Sequence, residues 1–262
     1  MPMLGLGTSH VGGYNQDTFV YALRDCGYRH IDTAQRYGCE SKIGEGIQLS
    51  GVARQDIFLT TKLWISYYDT GVALQEFEKS MQKLNTDYLD LFLLHWPADI
   101  QDHSNVSSTW RALELLLEQG KVRSIGVSNF QQRHLQRLID QCSVVPHVNQ
   151  CEFHPYQNDK GLRLFCEESG VKFTGYSPLG KGMLLNDEHV VRIAREHQKS
   201  PSQILIKWSL QNNVVTIPKS TDMNRVKQNA EVWDFELSAK DMEQLNNMHQ
   251  NLHVTWDPTY VD

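Results

Sequence analysis

Two apolar runs in the first quarter of the chain each end on an ionisable residue: GYRHID stops at Asp32, and FLTTK stops at Lys62. Tyr37 follows the first run by five positions. If both runs are strands of one parallel sheet, their ends share a rim, and Asp32, Tyr37 and Lys62 meet there. That trio has a chemical logic. A free phenol, with a pKa of about 10, is too weak an acid to protonate a developing alkoxide at neutral pH. An ammonium group within reach favours the phenolate, and a carboxylate beyond it keeps the ammonium charged and aimed. The trio therefore predicts a phenol more acidic than usual. Taken singly, an Asp–Lys pair is usually a surface salt bridge and a tyrosine after a strand a packing residue, so the surrounding elements must carry the case.

Those elements alternate. Short β-branched runs at residues 3–7, 28–32, 57–62, 88–95, 124–128, 147–152, 172–176 and 214–218 read as strands. Amphipathic stretches at 16–26, 41–50, 72–84, 108–119, 133–141, 160–169, 188–197, 201–211, 222–230 and 238–248 read as helices. Pro201 falls in the first turn of one helix, and Gly120 and Gly170 close two others. Strand–helix alternation requires a parallel sheet with right-handed crossovers. Eight such units predict a (β/α)₈ TIM barrel spanning residues 1–262 as a single domain, with reactive residues at the C-terminal ends of the strands. Asp32, Lys62, His95, Ser128, Asn129, Gln150, Tyr176, Lys219 and Ser220 all fall there. A Rossmann domain is the competing arrangement. Its glycine-rich turn finds only GLGTSHVGG, where the GxG lies inside the first strand with no helix at the right distance.

Composition narrows the function. A net charge of −6 with no basic block argues against a nucleic-acid partner. LDLFLL, among the longest strongly apolar runs, is too short to cross a membrane, and no basic-then-apolar leader opens the chain, so a cytoplasmic protein is expected. The five cysteines, Cys26, Cys39, Cys142, Cys151 and Cys166, include no CxxC pair and predict neither a disulfide framework nor a metal site.

Seven motifs in order, GYRHIDTAQRYG, TTKLW, LHWP, GVSNF, NQCEFHP, YSPLG and IPKS, resemble the aldo-keto reductase family, and the resemblance runs from LGLGT to WDP. It implies NADP-dependent reduction of aldehydes and ketones by a monomer, with NADPH extended across the barrel mouth. By the same resemblance Tyr37 is the general acid, Lys62 and Asp32 tune it, and His95 orients the substrate oxygen. Ser128, Asn129 and Gln150 match the carboxamide contacts, and Tyr176 the ring stacked on the nicotinamide. Thr8 and Asp32 join the cofactor set, Ser177 and Leu179 follow the pyrophosphate, Lys219, Ser220 and Arg225 match the 2′-phosphate site, and Gln228 and Asn229 the adenine contacts.

The departures from the family bear on specificity. Asp222 stands where many relatives carry a small hydroxyl residue. Facing inward it would repel a phosphate and soften a preference for NADPH; capping the next helix, it would change nothing. The segments 98–107 and 181–187 are shorter than the loops walling the pocket of steroid and aldose reductases, and resemble those of microbial diketogluconate reductases. An open pocket lined by Trp64, Trp96, Tyr67 and Trp256 and tolerant of small carbonyls is expected. The family's N-terminal hairpin has no counterpart before Met1. Two other readings are a nucleotide-binding regulatory subunit on the same barrel and a lysine aldolase using Lys62 as a Schiff-base nucleophile, which needs an unpaired, desolvated lysine.

Overall fold

The computed structural model describes residues 1–9, 13–97 and 104–261, less the side chains of 104 and 105. Eight parallel strands lie in sequence order: β1 (Leu6–Gly7), β2 (His30–Asp32), β3 (Phe58–Leu63), β4 (Leu91–Leu94), β5 (Ile125–Ser128), β6 (Val148–Glu152), β7 (Lys172–Tyr176) and β8 (Val215–Thr216). A parallel bridge between Leu4 and Thr216, with hydrogen bonds from the Gly5 amide to the Thr216 carbonyl at 2.9 Å and from the Thr216 amide to the Met3 carbonyl at 2.8 Å, brings the first and eighth strands together. The helices are α1 (Gln16–Arg24), α2 (Glu40–Ser50), α3 (Thr70–Leu84), α4 (Ser104–Glu118), α5 (Gln132–Ile139), α6 (Lys160–Glu168), α7 (Glu188–His197), α8 (Pro201–Gln211), α9 (Met223–Ala230) and α10 (Ala239–Asn246). The expected strands and helices are all present, with shorter outer strands than expected.

Successive side chains on a strand point to opposite faces, and this alternation separates two cores. Ile31, Leu59, Leu63, Phe92, Leu94, Ile125 and Val127 belong to the large core that the strands form with the helices. Their neighbours face the lumen, and their character changes along the barrel. Leu91, Leu93 and Val148 pack with Phe58 into a separate apolar plug. At or near the C-terminal ends of β2, β3, β5 and β6 stand Asp32, Lys62, Ser128 and Gln150, all buried. The lumen is thus apolar at one end and polar at the mouth. Gly126 lets the strands close around the plug, since a Cβ there would stand 2.5 Å from the Val148 carbonyl oxygen and 2.8 Å from Leu93.

All five cysteines are free. No helix among the described residues is long and apolar enough to cross a membrane. Residues 98–103, which open the first of the two segments expected to be short, lie outside the described residues.

Candidate active site

Register places the reactive groups. Asp32 pairs with Thr60, so Lys62, two residues on, rises beside it; Ser128 pairs with Gln150, and Glu152 with Tyr176. Lys62 Nζ donates to Asp32 Oδ1 at 2.6 Å and to the Thr33 carbonyl at 3.0 Å. Gln150 Nε2 donates to the other carboxylate oxygen at 2.7 Å. The Lys62 and Asp32 side chains are 1% and 3% exposed, so this ion pair is sealed beneath the mouth. Burial is the largest influence and works against the Lys62 ammonium, but the Asp32 carboxylate and the Tyr37 phenol together outweigh it and hold the lysine above its usual pKa. Lys62 is therefore desolvated but charged and paired, whereas a Schiff-base nucleophile must be unpaired.

Tyr37 ends a short 3₁₀ turn, Gln35–Tyr37, and turns into the cleft. Lys62 Nζ lies 5.2 Å from the centre of its ring. His95, just beyond β4, meets the same ring edge-on at 5.8 Å and 77°. The proximity expected of the trio is present, but the acidity is not. Burial pushes the Tyr37 phenol above its ordinary value, and the Lys62 ammonium only opposes that effect. Sequence spacing reveals the cation beside the phenol but not the desolvation that competes with it.

Above this base a cleft of about 760 Å³ opens, toward the upper end of the roughly 300–1,000 Å³ range of small-molecule sites. Ser128, Asn129, Gln150, Tyr176, Ser177, Leu179, Lys219, Ser220, Arg225, Gln228 and Asn229 all line it, as do Trp64, Trp96 and Trp256. Thr8 and Tyr67 do not. Thr8 is buried below the mouth, its amide and hydroxyl both on the Asp32 carbonyl at 3.0 and 2.9 Å. Tyr67 packs against the helix-side core, while its neighbour Tyr68 bonds the Trp96 carbonyl at 2.7 Å.

The polar lining is held by its own network. Asn129 Nδ2 donates to the His95 carbonyl and to Ser128 Oγ, both at 3.0 Å, and Ser128 Oγ donates to the Gln150 carbonyl at 2.7 Å. The Tyr176 hydroxyl donates to Asn129 Oδ1 at 2.8 Å and contacts Thr255 Oγ1 at 3.0 Å, which pins the ring against the cleft wall. Asn129 and Ser177 adopt left-handed backbone angles, φ 66° and 52°, the kind of local strain that clusters at binding sites. Gln150 Nε2 gives one N–H to Asp32, which fixes the orientation of its side-chain amide at the cleft. At the far end, Asp222 accepts from the Arg225 amide at 2.9 Å and caps α9. Its carboxylate serves the helix and does not line the cleft, where Lys219, Ser220 and Arg225 offer two cations and a hydroxyl. Burial lowers the Lys219 pKa, and an anion beside it would reverse that shift. This donor set fits an extended dinucleotide carrying a terminal phosphate.

Several lining groups carry no motif in the sequence. Lys181 and Thr255 are among them, and Arg36, which also lines the cleft, stands inside GYRHIDTAQRYG where its type and spacing mark no role. Val254 and Thr255, just before Trp256, are held by Glu152, which accepts from the Val254 amide at 2.7 Å, the Thr255 amide at 3.1 Å, the Thr255 hydroxyl and His154 at 2.8 Å. Burial alone would raise the Glu152 carboxyl, but these bonds and His253 hold it far below its usual value. Among the described residues, no group of His, Cys, Asp and Glu side chains is placed to hold a metal ion.

Residues 3–250 match the Aldo/keto reductase family. The chain is 44% identical over 259 residues to the glyoxal reductase of Bacillus subtilis (strain 168), covering 98% of this chain and 92% of that protein. Among solved structures, an aldo-keto reductase enzyme from a Medee basin deep-sea metagenome library superposes with a TM-score of 0.94 at 37% identity, over 100% of this chain and 96% of the other. The Bombyx mori aldo-keto reductase in complex with NADP does so at 0.91 and 29% identity, over 100% and 95%. The buried Asp–Lys pair beneath a cleft-facing tyrosine thus stands in a barrel whose sequence and shape agree: the chain belongs to the aldo-keto reductase family.

Proposed function

We propose that this oxidoreductase reduces small aldehydes and ketones to alcohols with NADPH, using Tyr37 as the general acid. The observation that carries the reading is the sealed Lys62–Asp32 pair set 5.2 Å beneath the Tyr37 ring at the floor of the cleft. A general acid must hold its proton until the reaction needs it, and burial keeps the phenol protonated at neutral pH. As the carbonyl oxygen gains charge, the Tyr37 proton moves to it, and the Lys62 ammonium stabilises the phenolate left behind. Asp32, fixed by Gln150, keeps that ammonium charged and in place. His95 directs its imidazole at the substrate oxygen, while Trp64, Trp96 and Trp256 wall the apolar part of the substrate. When bound, the nicotinamide supplies the hydride. Ser128, Asn129 and Gln150 would hold its carboxamide and Tyr176 one face of its ring, converting a bimolecular encounter into an oriented one. Ser177 and Leu179 would follow the pyrophosphate, Lys219, Ser220 and Arg225 the 2′-phosphate, and Gln228 and Asn229 the adenine. The glyoxal reductase relative and the NADP-bound neighbour support the substrate class and the cofactor.

Nicotinamide absorbance followed over a panel of aldehydes and ketones tests this, with Tyr37→Phe as the decisive variant. Loss of the phenol proton is expected to lower turnover by about 10² to 10⁴-fold, while calorimetry finds NADPH affinity nearly unchanged. A variant that keeps more than a few per cent of the rate would remove Tyr37 from its role.

A further inference from the structure

Arg36 sits next to the proposed acid and has no part in the chemistry above. It is exposed, yet lines the cleft. Its guanidinium carbon lies 4.2 Å from the centre of the Trp64 ring and 5.2 Å from that of Trp256. Trp64 in turn stands edge-on to His95 at 5.2 Å and 88°. Imidazole, indole and guanidinium therefore form a row across the substrate end of the cleft.

The described arginines in ion pairs are Arg24, Arg54, Arg123 and Arg192; Arg36 instead lays its face on two indoles. A stacked guanidinium keeps its N–H edge for a ligand and presents it in a fixed plane, the geometry that takes a carboxylate with two parallel hydrogen bonds. The surrounding charge points the same way. Among the described residues the cleft is lined by Arg36, Lys181, Lys219 and Arg225 and by a single carboxylate, Asp32, which is neutralised by Lys62. This is a cationic recess in a chain of net charge −6. Lys219 and Arg225 suit the phosphates of a dinucleotide. Arg36, among the tryptophans beside His95, is placed for the other reactant.

Building on the carbonyl-reductase reading, we infer that the substrate bears a carboxylate, received by Arg36 while its carbonyl lies between Tyr37 and His95. Because the Trp64 ring separates the guanidinium from the imidazole, the two groups of the substrate are about an aromatic ring apart. Aldehydes with a remote acid group fit this spacing, and 2-oxo acids do not.

The test compares 4-carboxybenzaldehyde with its uncharged methyl ester in the wild-type protein and in Arg36→Met and Arg36→Lys. The wild type is expected to favour the acid, and Arg36→Met to lower kcat/KM for the acid about tenfold through KM, with the ester within about twofold of wild type. Arg36→Lys should recover part of the loss, and added salt should erode the preference of the wild type alone. Binding of 4-carboxybenzyl alcohol, read by tryptophan fluorescence, should weaken by the same factor. Equal losses for acid and ester would assign Arg36 to packing the indoles and overturn the inference, as would an unchanged ratio. Ester reduction without any preference for the acid leaves the reductase standing and this inference refuted; reduction of neither compound would refute both.

Discussion

Replacing Asp32 with asparagine removes one charge from the sealed pair and almost no volume. In the wild type each carboxylate oxygen accepts a separate donor, Lys62 Nζ at 2.6 Å and Gln150 Nε2 at 2.7 Å. An amide can accept from only one of them, and its NH₂ must face the other. Breaking a buried pair by removing one partner costs about 3–5 kcal/mol; since the amide keeps one acceptor, about 3 kcal/mol is expected, or roughly 6–12 °C in Tm for a chain of this size. The pH dependence identifies the cause. Lys62 has its pKa raised in the folded protein, so its stabilising contribution is full below the unfolded lysine value of about 10.4 and is lost only as pH rises past the folded one. Without the carboxylate, burial dominates and the folded pKa falls below the unfolded value. The variant then gains stability as pH rises toward about 10, and the gap between the two proteins narrows from pH 7 upward. Turnover should fall by about 10² to 10⁴-fold, because a neutral Lys62 no longer stabilises the Tyr37 phenolate. Denaturant unfolding at a series of pH values, beside initial rates, measures both effects. A gap under about 1 kcal/mol, or one independent of pH, would refute the account of Asp32 as the group that keeps Lys62 charged.

Two further outcomes are expected. Arg225→Ala should weaken NADPH binding much more than NADH binding, whereas Asp222→Ala should cost about 1 kcal/mol as a lost cap and leave the NADPH-to-NADH ratio unchanged; calorimetry with both nucleotides decides. The Glu152 clasp on the tail should be strongest in mildly acidic solution. Bonding to Glu152 raises the His253 pKa, so that contribution is present below the unfolded histidine value of about 6.5 and lost as pH rises through the folded one, while the lowered Glu152 pKa gives a contribution lost as pH falls below about 4. Protection of the amides at residues 253–257, taken relative to the intrinsic exchange rate at each pH, should therefore be greatest between those limits.

What the sequence disclosed and what it hid divide along physical lines. Strand and helix order was readable because apolar periodicity differs between the two, and the carboxyl ends of the strands then located Asp32, Lys62, His95, Ser128 and Gln150. Ends were less readable. The outer strands shorten to Leu6–Gly7 and Val215–Thr216, and α4 begins at Ser104 within a stretch of Ser and Asn that reads as loop. Irregular backbone hid more: which of Tyr67 and Tyr68 meets Trp96 depends on the phase of a single 3₁₀ turn, Ile65–Tyr67, with no period to read. The grip of Glu152 on the tail pairs residues 102 and 103 positions apart, and only the folded chain brings them together. Whether Asp222 faced the cleft or the helix was likewise decided by the start of α9.

The two-residue rhythm of the lumen also sets how this protein can change over evolutionary time. Lys62 stays inside only because it is in phase with Phe58 and Thr60, whereas Leu59, Thr61 and Leu63 look outward to the helices. A single inserted or deleted codon within β3 would exchange those two sets, sending the ammonium into oil and a leucine to the reactive floor. Diversification is therefore channelled into the loops at the rim, where length can vary without disturbing the phase beneath.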